Sequence, residues 1–148
     1  MGFVMTEFAR WRDTVRIVRG NSLNMTMRDP STSGRATAFD FSGVGGRETW
    51  IGTVTLGPNK KTGAHHHGRH EVAVYVVRGR SEIRWGERLE YVANVGPGDF
   101  VYFGPYVPHQ ERNPSGQEPV DFLVVRSDNE RLVVTLDIEP AEEPENMF

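Results

Sequence analysis

All five histidines of this 148-residue chain fall between positions 65 and 109, and four of them crowd into the six residues from His65 to His70. Side chains two apart on an extended strand point to the same face, so His65 and His67 can aim their imidazoles at one point while His66 points away. Such a pair suits a divalent cation, which takes nitrogen ligands at roughly 2.0–2.2 Å and is helped by a carboxylate that offsets part of its charge. Glu71, four residues after His67, is the nearest acid. His109 follows a second turn and strand, Gly98 to Phe103, and stands directly after Pro108, which fixes the backbone entering the next strand. If that strand lies across from the first, His109 completes the set, and one or two positions of an octahedral ion stay open for substrate, water or dioxygen. The chain has no cysteine, so every ligand must be nitrogen or oxygen. An internal cluster flanked by turn residues and a strand is neither a purification tag nor merely a polar surface loop.

The elements that must carry these residues are short and extended. Turn signals recur at Gly57-Pro58-Asn59, Gly79, Gly86, Gly96-Pro97-Gly98-Asp99, Asn113-Pro114-Ser115-Gly116 and Ser127-Asp128-Asn129. Between them the sequence predicts strands at Thr49–Leu56, Glu71–Arg78, Ser81–Trp85, Leu89–Val95, Phe100–Phe103, His109–Arg112, Val120–Arg126 and Arg131–Asp137, most of them rich in Val, Ile, Tyr and Phe. No helical spacing separates them, so the fold class is all-β. Val72 to Val77 is apolar on both faces, as in a strand that fills a barrel on one side and packs against a second sheet or subunit on the other. Residues 1–40 read as an N-terminal arm with an edge strand, Val15–Arg19 being one candidate, followed by a loop around Arg28 to Gly34. Residues 41–138 form the barrel. The tail 139–148, with two prolines, four glutamates and little to bury, is expected to be flexible.

Two sequence motifs then resemble those of the cupin superfamily, which implies a double-stranded β-helix, or jelly-roll, barrel. The family's first motif is a glycine, five residues, H-x-H, three or four residues, a glutamate, six residues and a glycine. Here His65-His66-His67 and the three-residue gap to Glu71 match, whereas seven residues separate Glu71 from Gly79 and seven also separate Gly57 from His65, where the family's opening glycine would fall nearer. In the second motif Gly98, His109 and Asn113 keep the family spacing, with Gly104 and Tyr106 replacing an internal proline and glycine. The resemblance implies His65, His67, Glu71 and His109 as ligands of one divalent transition metal ion: Fe, Mn, Ni, Co or Zn. The displaced glycine bears on the acid. Counted back from Gly79, strand phase gives Val72 the inward position and turns Glu71 outward unless a bulge restores the register, which makes His70 the rival ligand and His66 a distant third.

Cupin pockets are lined by inward strand residues, so the resemblance makes Trp50, Tyr75, Tyr102 and Glu111 pocket candidates, with Trp85, Phe103 and Tyr106 behind them as aromatics more at home in the core. Glu111 shares a face with His109 and is placed to support it or to act as a general base. The activity implied is that of a small-molecule enzyme of dioxygenase type, with isomerase or lyase chemistry next. The alternative is a barrel that binds or senses a metal or small molecule without turnover.

Composition narrows the partners. A net charge of -3 with scattered arginines gives no basic patch, so no nucleic-acid partner is expected. The longest apolar runs fall far short of the ~20 residues that cross a bilayer, and Glu7 and Arg10 interrupt what would be a signal peptide's apolar stretch, so neither membrane nor export is expected. The absence of cysteine fits a cytoplasmic protein. The two-faced apolar strand and the N-terminal arm point to a homodimer.

Overall fold

The computed structural model describes residues 12, 17, 19–22, 49–127 and 132–148, and the backbone of 34–39. Eleven strands are present among them: β1 (Gly34–Phe39), β2 (Trp50–Leu56), β3 (His65–His66), β4 (Val72–Arg78), β5 (Ser81–Trp85), β6 (Tyr91–Val95), β7 (Phe100–Phe103), β8 (His109–Arg112), β9 (Val120–Arg126), β10 (Val134–Thr135) and β11 (Glu145–Asn146). They form a five-stranded sheet in the order β1-β2-β9-β4-β7 and a six-stranded sheet in the order β10-β3-β8-β5-β6-β11. The only helical element among the described residues is a three-residue 3-10 turn at Gly20–Ser22, so the all-β expectation holds. The strand expected over Val15–Arg19 and the loop around Arg28 to Gly34 fall largely outside the described residues.

Period-two burial sets the inside of the barrel. Trp50, Val54 and Leu56 of β2, Val72, Val74 and Val76 of β4, and Val120, Phe122 and Arg126 of β9 are buried, while their neighbours along each strand are more exposed. Ile83 of β5 and Phe103 of β7 pack against this wall and complete one core cluster. Each fully buried aliphatic or aromatic side chain contributes roughly 1.5–3 kcal/mol, so the cluster supplies most of what holds the sheets face to face. A register shift between Val76 and Arg78 marks a bulge at the far end of β4. It leaves the phase of Val72, Val74 and Val76 intact. The turn that follows requires Gly79: its φ is +81°, and a Cβ there would meet the Pro119 carbonyl oxygen at 2.3 Å.

The loops at the end of β8 are tied by one amide. Asn113 is 3% exposed. Its Nδ2 donates to the carbonyls of Leu56 (3.1 Å), Gly57 (3.1 Å) and Glu118 (2.7 Å), and its Oδ1 accepts from the Ser115 amide at 3.0 Å. Asn113→Ala leaves these buried groups without their partner, and a loss of about 2–3 kcal/mol is expected in urea unfolding, with the midpoint falling and the slope unchanged.

The tail corrects the sequence reading. Rather than hanging free, it runs along the six-stranded sheet. Ala141 donates to the Arg88 carbonyl at 2.8 Å, Glu145 to Glu90 at 2.7 Å and Met147 to Val92 at 2.9 Å, while β11 pairs in parallel with β6. Arg84, 7% exposed, donates from Nη2 to Ala141 O at 2.8 Å and from Nε to Leu89 O at 2.9 Å. Backbone groups make almost all of these bonds, so an acidic, proline-bearing composition did not reveal them.

Candidate metal centre

The short strand β3 lies antiparallel to β8 with His65 directly opposite His109. Directly opposed residues share a face, so two imidazoles from distant parts of the sequence stand side by side, ring centroids 4.3 Å apart. His67 follows just beyond β3, its ring 5.0 Å from that of His65 and 5.4 Å from that of His109. Gly68 then turns the chain with a left-handed φ of +59°, and its amide donates to His66 Nδ1 at 2.9 Å, which holds His66 away from the group and toward Tyr106. The ligating atoms of His65, His67 and His109 all lie within 4.8 Å of one another.

Each of the three rings is oriented by a backbone carbonyl. The Nδ1 atoms meet Gly63 O at 2.7 Å, Leu132 O at 3.1 Å and Val107 O at 2.9 Å. A carbonyl can only accept, so the ring hydrogen belongs on Nδ1 and the Nε2 lone pair is left for a cation. Phe103 stacks on His109 at 3.9 Å between centroids and 14° between planes, fixing the ring further. Burial, with the neighbouring His65 and His109 rings adding to it, pushes His67 down to about 3, and burial also holds His109 below the usual imidazole range. Both are therefore neutral at neutral pH, the form that ligates metal.

Glu111, two residues beyond His109 on β8, reaches the same end of the barrel. Its Oε1 is 3.8 Å from His109 Nε2, and Oε2 accepts from Thr62 Oγ1 at 3.0 Å. Burial alone would raise this carboxyl, but the attraction of His109 and His65, the Thr62 hydrogen bond and His67 together hold it below the usual carboxylate range. His109 Nε2 is buried and has no hydrogen-bond partner among the described residues. A buried lone pair facing a carboxylate oxygen, with no proton between them, is unfavourable unless a cation joins the site. The donor set thus fits a divalent metal ion: three imidazoles with an anionic oxygen beside them.

The remaining site expectations separate cleanly. Glu71 is not in the group. It precedes β4 on the exposed side, and its Oε1 accepts from the Tyr102 hydroxyl at 2.6 Å on the outer surface. Strand phase is the reason, since Val72 takes the inward position and no bulge intervenes before it. His70 is buried at 3% exposure but also lies outside the three-histidine group, its amide bonded to the His67 carbonyl at 3.2 Å. Among the pocket candidates, Trp50 and Glu111 line a cavity of about 360 Å³ that opens on His65 and His67, with walls of Val54, Leu56, Val72, Val74, Phe122 and Val124. Tyr75 instead packs on Phe100, ring centroids 4.8 Å apart, and Tyr102 is 62% exposed. Neither reaches the cavity. Sequence reasoning missed Arg126 and Thr62, which also line it; the period-two row Val120, Phe122, Val124, Arg126 carried the signal for the first.

Glu71→Ala and His70→Ala are each expected to keep the metal content of the parent protein, measured by elemental analysis after purification without added metal. A loss of metal in either would return that residue to the ligand set.

The Cupin_2 family (Cupin domain) matches residues 52–126, and this chain belongs to it. Its barrel is the family's double-stranded β-helix. Among solved structures, the polyketide cyclase RemF from Streptomyces resistomycificus aligns with a TM-score of 0.70 at 22% identity, over 88% of this chain and 89% of that one. A conserved protein with a double-stranded β-helix domain from Klebsiella pneumoniae aligns at 0.65 and 17% identity, over 83% and 98%. A cupin 2 domain-containing protein from Halorhodospira halophila aligns at 0.62 and 27% identity, over 76% and 75%. No curated protein matches.

Proposed function

We propose that this chain is a metal-dependent enzyme acting on a small, largely apolar molecule that carries metal-binding oxygen. The observation that supports the reading is the convergence of three carbonyl-oriented imidazoles at the end of an apolar cavity, with a buried His109 Nε2 that has no hydrogen-bond partner among the described residues. His65, His67 and His109 would hold the ion, which would supply Lewis acidity or redox chemistry when bound. Val54, Leu56, Phe122 and Val124 exclude water, and the cavity volume of about 360 Å³ suits a small organic molecule. Dioxygenase chemistry is the first reaction class, on the family resemblance. A metal-assisted proton transfer, as in isomerisation, elimination or cyclisation, is the second, and Glu111 favours it: a carboxylate fixed by Thr62 beside the histidines can take a proton from a bound molecule.

The test is a screen of protein loaded separately with Fe²⁺, Mn²⁺, Ni²⁺, Co²⁺ or Zn²⁺ against phenolic, enolisable and keto-acid compounds, following oxygen uptake in one arm and deuterium exchange from solvent in the other. Oxygen uptake assigns the first class and exchange without uptake the second. Stoichiometric metal with neither signal across the panel would favour a non-catalytic binding barrel.

We also propose a homodimer. β7 is the edge of its sheet, and Phe100 and Tyr102 on it are 78% and 62% exposed, a combination that a second copy would cover. Sedimentation is expected to give about twice the chain mass of 16.7 kDa, and Phe100→Glu to give the monomer. A monomeric parent protein would refute this.

A further inference from the structure

Trp50 buries a hydrogen-bond donor that the fold does not use. It opens β2, whose inward face continues with Val54 and Leu56, and all three side chains line the cavity. Trp50 is 3% exposed. Its indole N–H is shut off from solvent and has no acceptor among the described residues. Opposite it on β9 stands Arg126, whose guanidinium carbon lies 4.3 Å from the Trp50 ring centroid. That contact engages the face of the ring and gives no role to the N–H, which lies in the ring plane.

A buried N–H without an acceptor costs free energy that phenylalanine would not cost, since a phenyl ring presents the same kind of face to a cation and buries no polar atom. In a native protein such a group calls for an explanation, and its place in the wall of a binding cavity supplies one. The side chains of Val54, Phe122 and Val124 in the same wall offer no oxygen, so the acceptor arrives with the occupant. The indole N–H is an uncharged donor and nothing else, and a carbonyl oxygen is its natural complement: a hydroxyl would bring a further donor against an apolar wall with nothing to receive it. A cavity built around one such bond admits the oxygen compound and rejects an alkyl analogue of the same shape, which leaves the N–H unpaired.

We propose that Trp50 is a specificity-determining residue of the cavity, its indole N–H donating to a carbonyl oxygen of the bound molecule. This rests on the reading of the cavity as the reaction site beside the three histidines. It narrows the substrate class to apolar molecules with two oxygen functions, one for the metal end and a ketone-type carbonyl for Trp50. Trp50 selects and orients; it takes no proton.

The test compares 4-hydroxyacetophenone with 4-isopropylphenol, in which an isopropyl group replaces the acetyl group, by calorimetric titration of the parent protein and of Trp50→Phe, each metal-free and loaded with Co²⁺. The Phe variant is expected to weaken the ketone roughly tenfold and the alkyl phenol by about twofold or less. In proton–nitrogen correlation spectra of the metal-free parent protein, the Trp50 indole resonance is expected to move downfield on saturation with the ketone and to stay in place with the alkyl phenol. Should Trp50→Phe not fold, that resonance decides the matter, assigned by elimination in Trp11→Phe and Trp85→Phe, which carry the other two tryptophans. Equal weakening of both compounds in a folded Phe variant, an indole resonance unmoved by the ketone, or no binding of the ketone at millimolar concentration would each overturn the proposal. The metal-free measurements separate the two claims: if the indole shift appears while Co²⁺ fails to bind, the Trp50 contact stands and the metal reading falls.

Discussion

Replacing His109 with alanine is expected to abolish metal retention, taking the protein from about one equivalent to below a tenth of one after dialysis against a weak chelator. His109 contributes more than a ligand atom. It is 1% exposed, is locked by the Val107 carbonyl and the Phe103 stack, and is the cross-strand partner that joins β8 to β3 at His65. Its removal takes one of three ligands, and disturbing even the outer partners of metal ligands costs about 10–100-fold in affinity. His65→Ala should behave the same way. His66→Ala should not, since that ring turns toward Tyr106 with its Nδ1 occupied by the Gly68 amide. Elemental analysis of the three variants checks the pattern, and full retention in the His65→Ala, His109→Ala double variant would remove the site.

Glu111→Gln is expected to lower kcat by roughly 10²–10⁴-fold on a substrate found by the exchange screen while leaving metal content within a factor of about two. The substitution keeps the side-chain shape and an oxygen for the Thr62 hydroxyl but removes the basic lone pair. An unchanged kcat would assign Glu111 to site charge rather than to proton transfer. A loss of metal in step with activity would instead make it a ligand, which its 3.8 Å approach to His109 Nε2 would then have understated.

The histidine group was legible in the sequence because parity along an extended chain is a local property: His65 and His67 share a face whatever the rest of the fold does. The spacing of Gly98, His109 and Asn113 added the distant member, and Asn113 gained a structural reason in its bonds to the Leu56, Gly57 and Glu118 carbonyls. The acid was harder. Distance along the chain favoured Glu71, strand phase favoured Val72, and phase prevailed because the bulge in β4 falls after Val76 rather than before Val72. Glu111 was the acid on the correct face. Arg126 escaped notice as one arginine among many, although the period-two row Val120, Phe122, Val124, Arg126 puts it on the inward face of its strand. β1 and β11 were missed for another reason. Gly34–Phe39 is poor in β-branched residues, and Glu145–Asn146 is held by backbone bonds to β6, so edge pairing rather than side-chain type makes each a strand.

The measurement that bears most directly on the central claim is anomalous diffraction at the metal edge from crystals of Co²⁺-loaded protein. The expected result is a single strong peak bonded to Nε2 of His65, His67 and His109, with Glu111 beside it and Glu71 far outside. A peak on His66 or His70 instead, or no peak among those three Nε2 atoms at full Co²⁺ occupancy in solution, would contradict the account.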